Sequence, residues 1–180
     1  ALKQHKGLFE ESSSGTLLLD EISEMPLPMQ TKLLRILQEG TLTRVGSNKE
    51  IKVDVRVLAT SNRKIYEEIE KGNFREDLFY RLNVFPINIP PLRERKEDIP
   101  LLVNFFISDI LNKYNDADKP LDQLAMNKLI NYSWPGNIRE LRNIVERAYL
   151  LSKNDNEILS KHFILENTTS LKKSKKISSQ

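Results

Sequence analysis

The residues Gly15-Thr16-Leu17-Leu18-Leu19 run directly into Asp20-Glu21. An apolar run this short is too brief for a helix, and it opens on a turn residue. It predicts a strand buried on both faces, as in a parallel sheet covered by helices. Two carboxylates leaving such a strand stand where α/β proteins place ligands.

The neighbouring segments agree with that layer. Pro26 and Pro28 allow a helix to begin, Met29, Leu33, Ile36 and Leu37 share one of its faces, and Gly40 ends it. Thr41 to Val45 leads into a polar turn at Gly46-Ser47-Asn48. Ile51, Val53, Val55 and Val57 then alternate with polar residues, which predicts a single strand continuing through Leu58-Ala59-Thr60 to Ser61-Asn62. A helix over Ile65 to Lys71 follows, then the segment Phe74 to Leu82. Val84 to Ile89 reads as another apolar strand, stopped by Pro90-Pro91. Strands alternating with helices predict an α/β layer with a mainly parallel sheet over 1–92.

After Pro91 the pattern becomes helical. Asp98 is placed to cap a helix that tolerates Pro100, with Ile99, Val103, Phe106 and Ile110 on its inner face. A short helix is predicted from Asp122 to about Tyr132. Asn137 and Glu140 have capping-box spacing, and Ile138, Leu141, Val145 and Ala148 form one stripe behind them. Trp134 is expected to pack this bundle, which spans 93–166. The last residues, 167–180, carry Lys172, Lys173, Lys175 and Lys176 among serines. They predict a disordered basic linker, with a lead-in to a DNA-binding module as the alternative.

Composition narrows the class. The 180 residues are 39% hydrophobic and 29% charged, with a net charge of +3 and no cysteine. Disulfides and thiolate metal sites are excluded, and a reducing, cytoplasmic setting is expected. No apolar run approaches the ~20 residues that span a bilayer, so no membrane association is expected. The chain starts at Ala1 without an initiator Met or a signal segment, which predicts that something precedes it.

Four features carry chemistry. Asp20 at a strand end suits a magnesium ion held through water, and Glu21 suits a carboxylate that polarises an attacking water; the alternative is a solvated turn. Asn62 ends another strand, where its amide can bond a water or a phosphate, or cap the next helix. Arg75 and Arg81 bracket an aromatic-rich amphipathic turn. Arginines there suit a transferring phosphoryl group, often one held by a neighbouring subunit, or surface ion pairs with Glu76 and Asp77. Arg139 lies in the first turn of a helix, where a cation is slightly unfavourable and a nearby phosphate would relieve it.

Together these segments resemble the AAA+ domain of the sigma-54-dependent transcriptional activators, the bacterial enhancer-binding proteins. The resemblance covers about residues 1–165. It is carried by Gly7-Leu8-Phe9-Glu10, the Gly15 to Ile22 run, Phe74-Arg75-Glu76-Asp77-Leu78, Pro91-Leu92-Arg93-Glu94-Arg95 and Trp134-Pro135-Gly136-Asn137-Ile138-Arg139-Glu140-Leu141, in the family's order. It implies an incomplete P-loop-type parallel sheet followed by a small all-helical lid. It implies that Asp20 and Glu21 are the Walker B pair acting on ATP and Mg, with Asn62 at sensor I. Arg75 and Arg81 match arginine-finger candidates, Arg139 matches the sensor II arginine, and Arg44 to Asn48 match the second pore loop. The implied partners are sigma-54 RNA polymerase, copies of the same chain in a ring, typically a hexamer, and DNA through a separate C-terminal domain.

Two departures from the family pattern stand out. Thr60-Ser61 replace the commoner Ala-Thr before Asn62. No Gly-rich loop ending in Lys-Ser or Lys-Thr occurs in these residues, so the family's phosphate-binding and sigma-contacting loops are expected upstream of Ala1. The chain as given is then expected to bind ATP weakly or not at all and to be inactive alone. The 15 mostly polar residues after Leu165 cannot build a helix-turn-helix. The rival readings are another AAA+ machine, such as a clamp loader or unfoldase, and a non-catalytic assembly or binding fragment.

Overall fold

The computed structural model describes residues 6–44, 46–116 and 118–165. The chain forms two compact units, Ala1–Ile87 and Asn88–Gln180. The first holds α1 (Leu8–Glu11), β1 (Gly15–Leu19), α2 (Leu27–Glu39), β2 (Thr41–Thr43), β3 (Glu50–Lys52), β4 (Val55–Ala59), α3 (Ile65–Glu70) and α4 (Glu76–Leu82). The second holds α5 (Asp98–Tyr114), α6 (Gln123–Asn131) and α7 (Asn137–Leu151).

β1 and β4 pair in parallel, from Gly15 opposite Val55 to Leu19 opposite Ala59. The strand expected at Gly15–Leu19 is present, but it is covered on one face only. Leu17 and Leu19 are partly buried, while Leu18 is 58% exposed. Its register partner Leu58 is 46% exposed. Among the described residues no second layer covers that face, so the side chains alternate as in a one-sided sheet.

The long strand expected from Ile51 to Thr60 is two strands. β3 pairs antiparallel with β2, and β4 pairs parallel with β1. The break falls at Val53-Asp54, whose main chain is taken by other segments. Val53 N–H donates to Gly40 O at 2.8 Å, Ser14 N–H to Asp54 O at 2.6 Å, and Asp54 N–H to Ser13 Oγ at 3.3 Å. Gly40 ends α2 as expected, in the left-handed region at φ 64°.

Val84–Ile89 does not form a strand. Val84, Phe85, Ile87 and Ile89 are 74–84% exposed, and among the described residues the segment pairs with no other strand. A strand needs a partner for its ladder, and Pro86 and Pro90 remove donors besides.

The first unit's core gathers Ile22, Leu33, Leu34, Phe74, Leu78 and Phe79. The buried face of α2 is turned slightly from the expected one. Met29 is half-exposed, and Gln30 is fully buried in its place. The Gln30 amide is satisfied there: Nε2 donates to Met25 O at 2.7 Å and Asn73 O at 2.9 Å, and Oε1 accepts Arg75 N–H at 2.9 Å.

Glu68 is another buried polar side chain of this unit. Lys71 and Asn73 donate to its carboxylate at 2.8 and 3.0 Å, with Arg63 at 3.3 Å. The bonds from Lys71 and then Asn73 hold its pKa down, at about 2. A carboxyl lowered on folding contributes stability above its unfolded pKa, near 4.5, and loses it as pH falls toward 2. Melting temperature should therefore drop as pH falls through that window, and Glu68→Gln should flatten the drop while lowering the value at neutral pH. An identical acid limb in the variant would exclude Glu68 as its source.

In the second unit Ile99, Val103, Phe106 and Ile110 of α5 pack with Leu141, Val145 and Ala148 of α7 around Trp134. Trp134 is fully buried, and its Nε1–H donates to Leu129 O at 2.9 Å. Asp98 is the first residue of α5 rather than its cap, which is Glu97.

The capping box expected from Asn137 is also displaced. Glu140 Oε2 accepts Gly136 N–H at 2.8 Å, whereas Asn137 Oδ1 accepts Leu92 N–H at 2.9 Å. Trp134 and Asn137 both take left-handed backbone, φ 48° and 52°. A Cβ on Gly136 would stand 2.8 Å from that of Glu140, so this turn needs its glycine. No helix among the described residues is long and apolar enough to cross a membrane. The basic stretch 167–180 and Val45 lie outside the described residues.

Candidate functional site

The parallel register brings the ends of β1 and β4 together, so Asp20 and Thr60 emerge side by side. Thr60 N–H donates to Leu19 O at 3.0 Å, and Thr60 O accepts Ile22 N–H at 2.8 Å. The Thr60 hydroxyl donates to Asp20 Oδ1 at 2.5 Å and accepts Glu21 N–H at 3.1 Å. Glu21 takes the left-handed region, φ 51° and ψ 49°. For a residue with a Cβ that conformation costs roughly 1–2 kcal/mol, and the bonds to Thr60 on either side of it hold it there.

Asn62 Nδ2 donates to Glu21 Oε1 at 3.3 Å. Asn62 is not a helix cap, because α3 starts after Lys64. Ser61 turns the other way: its Oγ accepts Arg63 N–H at 3.1 Å and lies 3.1 Å from Ser23 Oγ. Asp20, Glu21, Thr60 and Asn62 thus form one exposed polar cluster. Among the described residues neither acid has an ion-pair partner. An open cleft of about 420 Å³ adjoins them, walled by Leu18, Ile22, Met25, Pro26 and Met29.

No group of three or more His, Cys, Asp or Glu side chains among the described residues is gathered to cage a metal. The two exposed carboxylates of Asp20 and Glu21 suit magnesium, which keeps several waters and takes one or two carboxylates together with substrate phosphates.

Arg75 and Arg81 are not in this cluster. Arg75 grips Asp77 with two parallel bonds, Nε to Oδ1 at 3.0 Å and Nη2 to Oδ2 at 2.6 Å. This fork raises the arginine's pKa and holds Asp77 below the usual carboxylate range. The ion pair considered for Arg75 is present. Arg81 forms none with Glu76 or Asp77; its guanidinium donates to Leu37 O in the last turn of α2 at 2.7 and 3.2 Å. Arg139 is exposed on α7, in the second unit, on the side opposite buried Leu141.

The loop after β2 is tied to the chain's beginning: Arg44 pairs with Glu10 of the Gly-Leu-Phe-Glu stretch at 2.5 Å. Sequence reasoning missed three contributors. Glu10 stood out only as part of the Gly7–Glu10 stretch, with no role attached, and Gln30 gave no local signal. Thr60 stood out only as a departure from a pattern, and its contact with Asp20 follows from strand register.

Both units match domains of known proteins. Residues 1–88 match the Sigma-54 interaction domain, and residues 93–180 match an AAA+ ATPase lid domain. The regulatory protein AtoC of Escherichia coli K12 is 52% identical over 147 residues, covering 82% of this chain and 32% of AtoC. The nitrogen fixation protein AnfA of Azotobacter vinelandii is 50% identical over 155 residues, covering 86% of this chain and 29% of AnfA. The chain thus spans about a third of the length of these relatives. The crystal structure of NtrX from Brucella abortus in complex with ADP superposes with a TM-score of 0.82 at 40% identity, covering 87% of this chain and 36% of NtrX. The α/β unit and the helical unit are those of an AAA+ protein, and the chain belongs to the AAA+ family of sigma-54-dependent transcriptional activators.

Proposed function

We propose that this chain is the part of a sigma-54-dependent activator that drives ATP hydrolysis, within a protein that also supplies a phosphate-binding loop. The observation that carries the reading is the meeting of Asp20, Glu21 and Asn62 at the shared end of two parallel strands. NtrX, which has the same fold, has been crystallised with ADP and with ATP.

Asp20 would hold a hydrated magnesium ion, with one carboxylate oxygen steadied by Thr60. Bound magnesium supplies charge neutralisation at the phosphates. Glu21 takes the proton of the attacking water, and Asn62 orients the Glu21 carboxylate. Arg75 and Arg81, which touch neither acid in their own chain, act on ATP held by the adjacent copy in a ring, typically a hexamer. Arg139 of the lid unit contacts phosphate. Turnover moves the hairpin loop at Arg44–Asn48, which is anchored through Glu10, and so remodels sigma-54 RNA polymerase in the cytoplasm. DNA is bound by a separate domain.

Magnesium dependence tests the site. In the full-length activator, Asp20→Asn should raise the magnesium concentration giving half-maximal ATP hydrolysis by ~10-fold or more, the scale for losing an outer-shell partner. An unshifted magnesium curve would remove Asp20 from the site and favour an assembly role without catalysis.

A further inference from the structure

We propose that Thr60 is a positioning residue for the acid pair, its hydroxyl fixing both the Asp20 carboxylate and the backbone of Glu21. The inference rests on the reading of these acids as the nucleotide-handling pair.

A threonine hydroxyl has one proton to give and two lone pairs to offer. Here the proton goes to Asp20 Oδ1 at 2.5 Å, and a lone pair accepts Glu21 N–H at 3.1 Å. Turning the side chain would break both bonds at once, and a β-branched side chain resists turning. The main chain of the same residue completes the clamp through Leu19 O and Ile22 N–H, at 3.0 and 2.8 Å.

Each bond has a consequence for the acids. The bond to Asp20 is charge-assisted, hence stronger than a neutral one. It commits Oδ1 and leaves Oδ2 as the oxygen for a hydrated cation. The bond to Glu21 N–H sits at the residue whose φ is 51°, a conformation its Cβ disfavours. Relaxing that backbone would swing the Glu21 carboxylate away from Asn62, now 3.3 Å distant. Alanine at position 60 would keep the main-chain bonds and lose both hydroxyl bonds. Ser61 does not supply them here, because its hydroxyl donates to Arg63 O at 2.9 Å and accepts Arg63 N–H at 3.1 Å.

Thr60→Val keeps the shape and removes the hydroxyl, whereas Thr60→Ser keeps the hydroxyl. Thr60 is exposed, so neither change disturbs the core. Both variants are made in the full-length activator. Hydrogen-exchange mass spectrometry of the nucleotide-free protein should show the Glu21 amide exchanging about fivefold faster in Thr60→Val, the effect of one lost hydrogen bond, and unchanged in Thr60→Ser. Steady-state hydrolysis should show kcat reduced ~10- to 100-fold in Thr60→Val. The KM for ATP should stay within about threefold, as for a group acting in the transition state, and Thr60→Ser should recover most of the rate. An unchanged Glu21 amide in Thr60→Val, or a Thr60→Ser variant as slow as Thr60→Val, overturns the proposal. Glu21→Gln run alongside separates the two readings. If it hydrolyses ATP normally, the nucleotide reading has failed. If it is inactive while Thr60→Val is normal, the Thr60 proposal alone has failed.

Discussion

Glu21→Gln in the full-length activator should leave ATP binding intact and cut hydrolysis by ~10²- to 10⁴-fold, the range for losing a general base. Glutamine retains an oxygen at the Oε1 position, so the bond from Asn62, now 3.3 Å, can persist. The backbone bond from residue 21 to Thr60 is untouched. What disappears is the ability to take a proton. A second substitution separates chemistry from folding. Glycine adopts the left-handed backbone of residue 21 without the Cβ clash, a gain that outweighs its extra entropy loss on folding, so Glu21→Gly should melt no lower than the wild type and still be inactive. ATP turnover, filter-binding of ATP and a thermal melt check all three outcomes. Undiminished hydrolysis in Glu21→Gln would remove this residue from the mechanism.

Periodicity made the inner faces of the helical unit legible, though not its caps. The inner face read as Ile99, Val103, Phe106 and Ile110 is buried, because a 3.6-residue stripe on a bundle helix has one place to go. The strands were legible as apolar runs but not as partners. Ile51, Val53, Val55 and Val57 alternate without interruption, yet the chain changes partner at Val53-Asp54. Alternation reports which face a side chain takes, and it is silent on which strand pairs with which. Val84–Ile89 marks the same limit. Its composition suits a strand, and its exposure of 74–84% at the apolar positions reflects the lack of a partner among the described residues.

The acids and Asn62 were readable because each ends an apolar run, and the pairing of β1 with β4 brings them together. Their link through Thr60 depends on register, a long-range property that spans 40 residues of sequence. Gln30 was hidden for a different reason. A buried amide looks like any surface glutamine until its three hydrogen-bond partners are known. Asn137 carried a correct signal with a wrong address. Asn and Glu at capping spacing do organise the start of α7, but the left-handed backbone at Asn137 sends its side chain to Leu92.

Arg75 offers the test that separates a ring enzyme from a surface ion pair. Its guanidinium is committed to Asp77 within its own chain, and its main chain is committed to buried Gln30. Arg75→Ala removes the first and keeps the second, so the segment leading into α4 stays anchored. An exposed pair of this kind contributes little to stability, and the melting temperature should hardly change. If Arg75 reaches ATP on the neighbouring subunit, turnover in assembled rings should fall by ~10³-fold or more, the scale for a lost arginine finger. Mixed rings sharpen the distinction. An Arg75→Ala subunit retains its own Glu21, and a Glu21→Gln neighbour retains its own Arg75. Mixing the two inactive variants therefore creates some interfaces with an intact acid and an intact finger. Activity should reappear in the mixture, provided that hydrolysis does not require every subunit to act together. Restored turnover can come only from a finger acting across the interface, because no single chain in the mixture carries both groups. Normal turnover by Arg75→Ala rings alone would leave the guanidinium with a role only in contacts within its own chain, the Asp77 pair foremost.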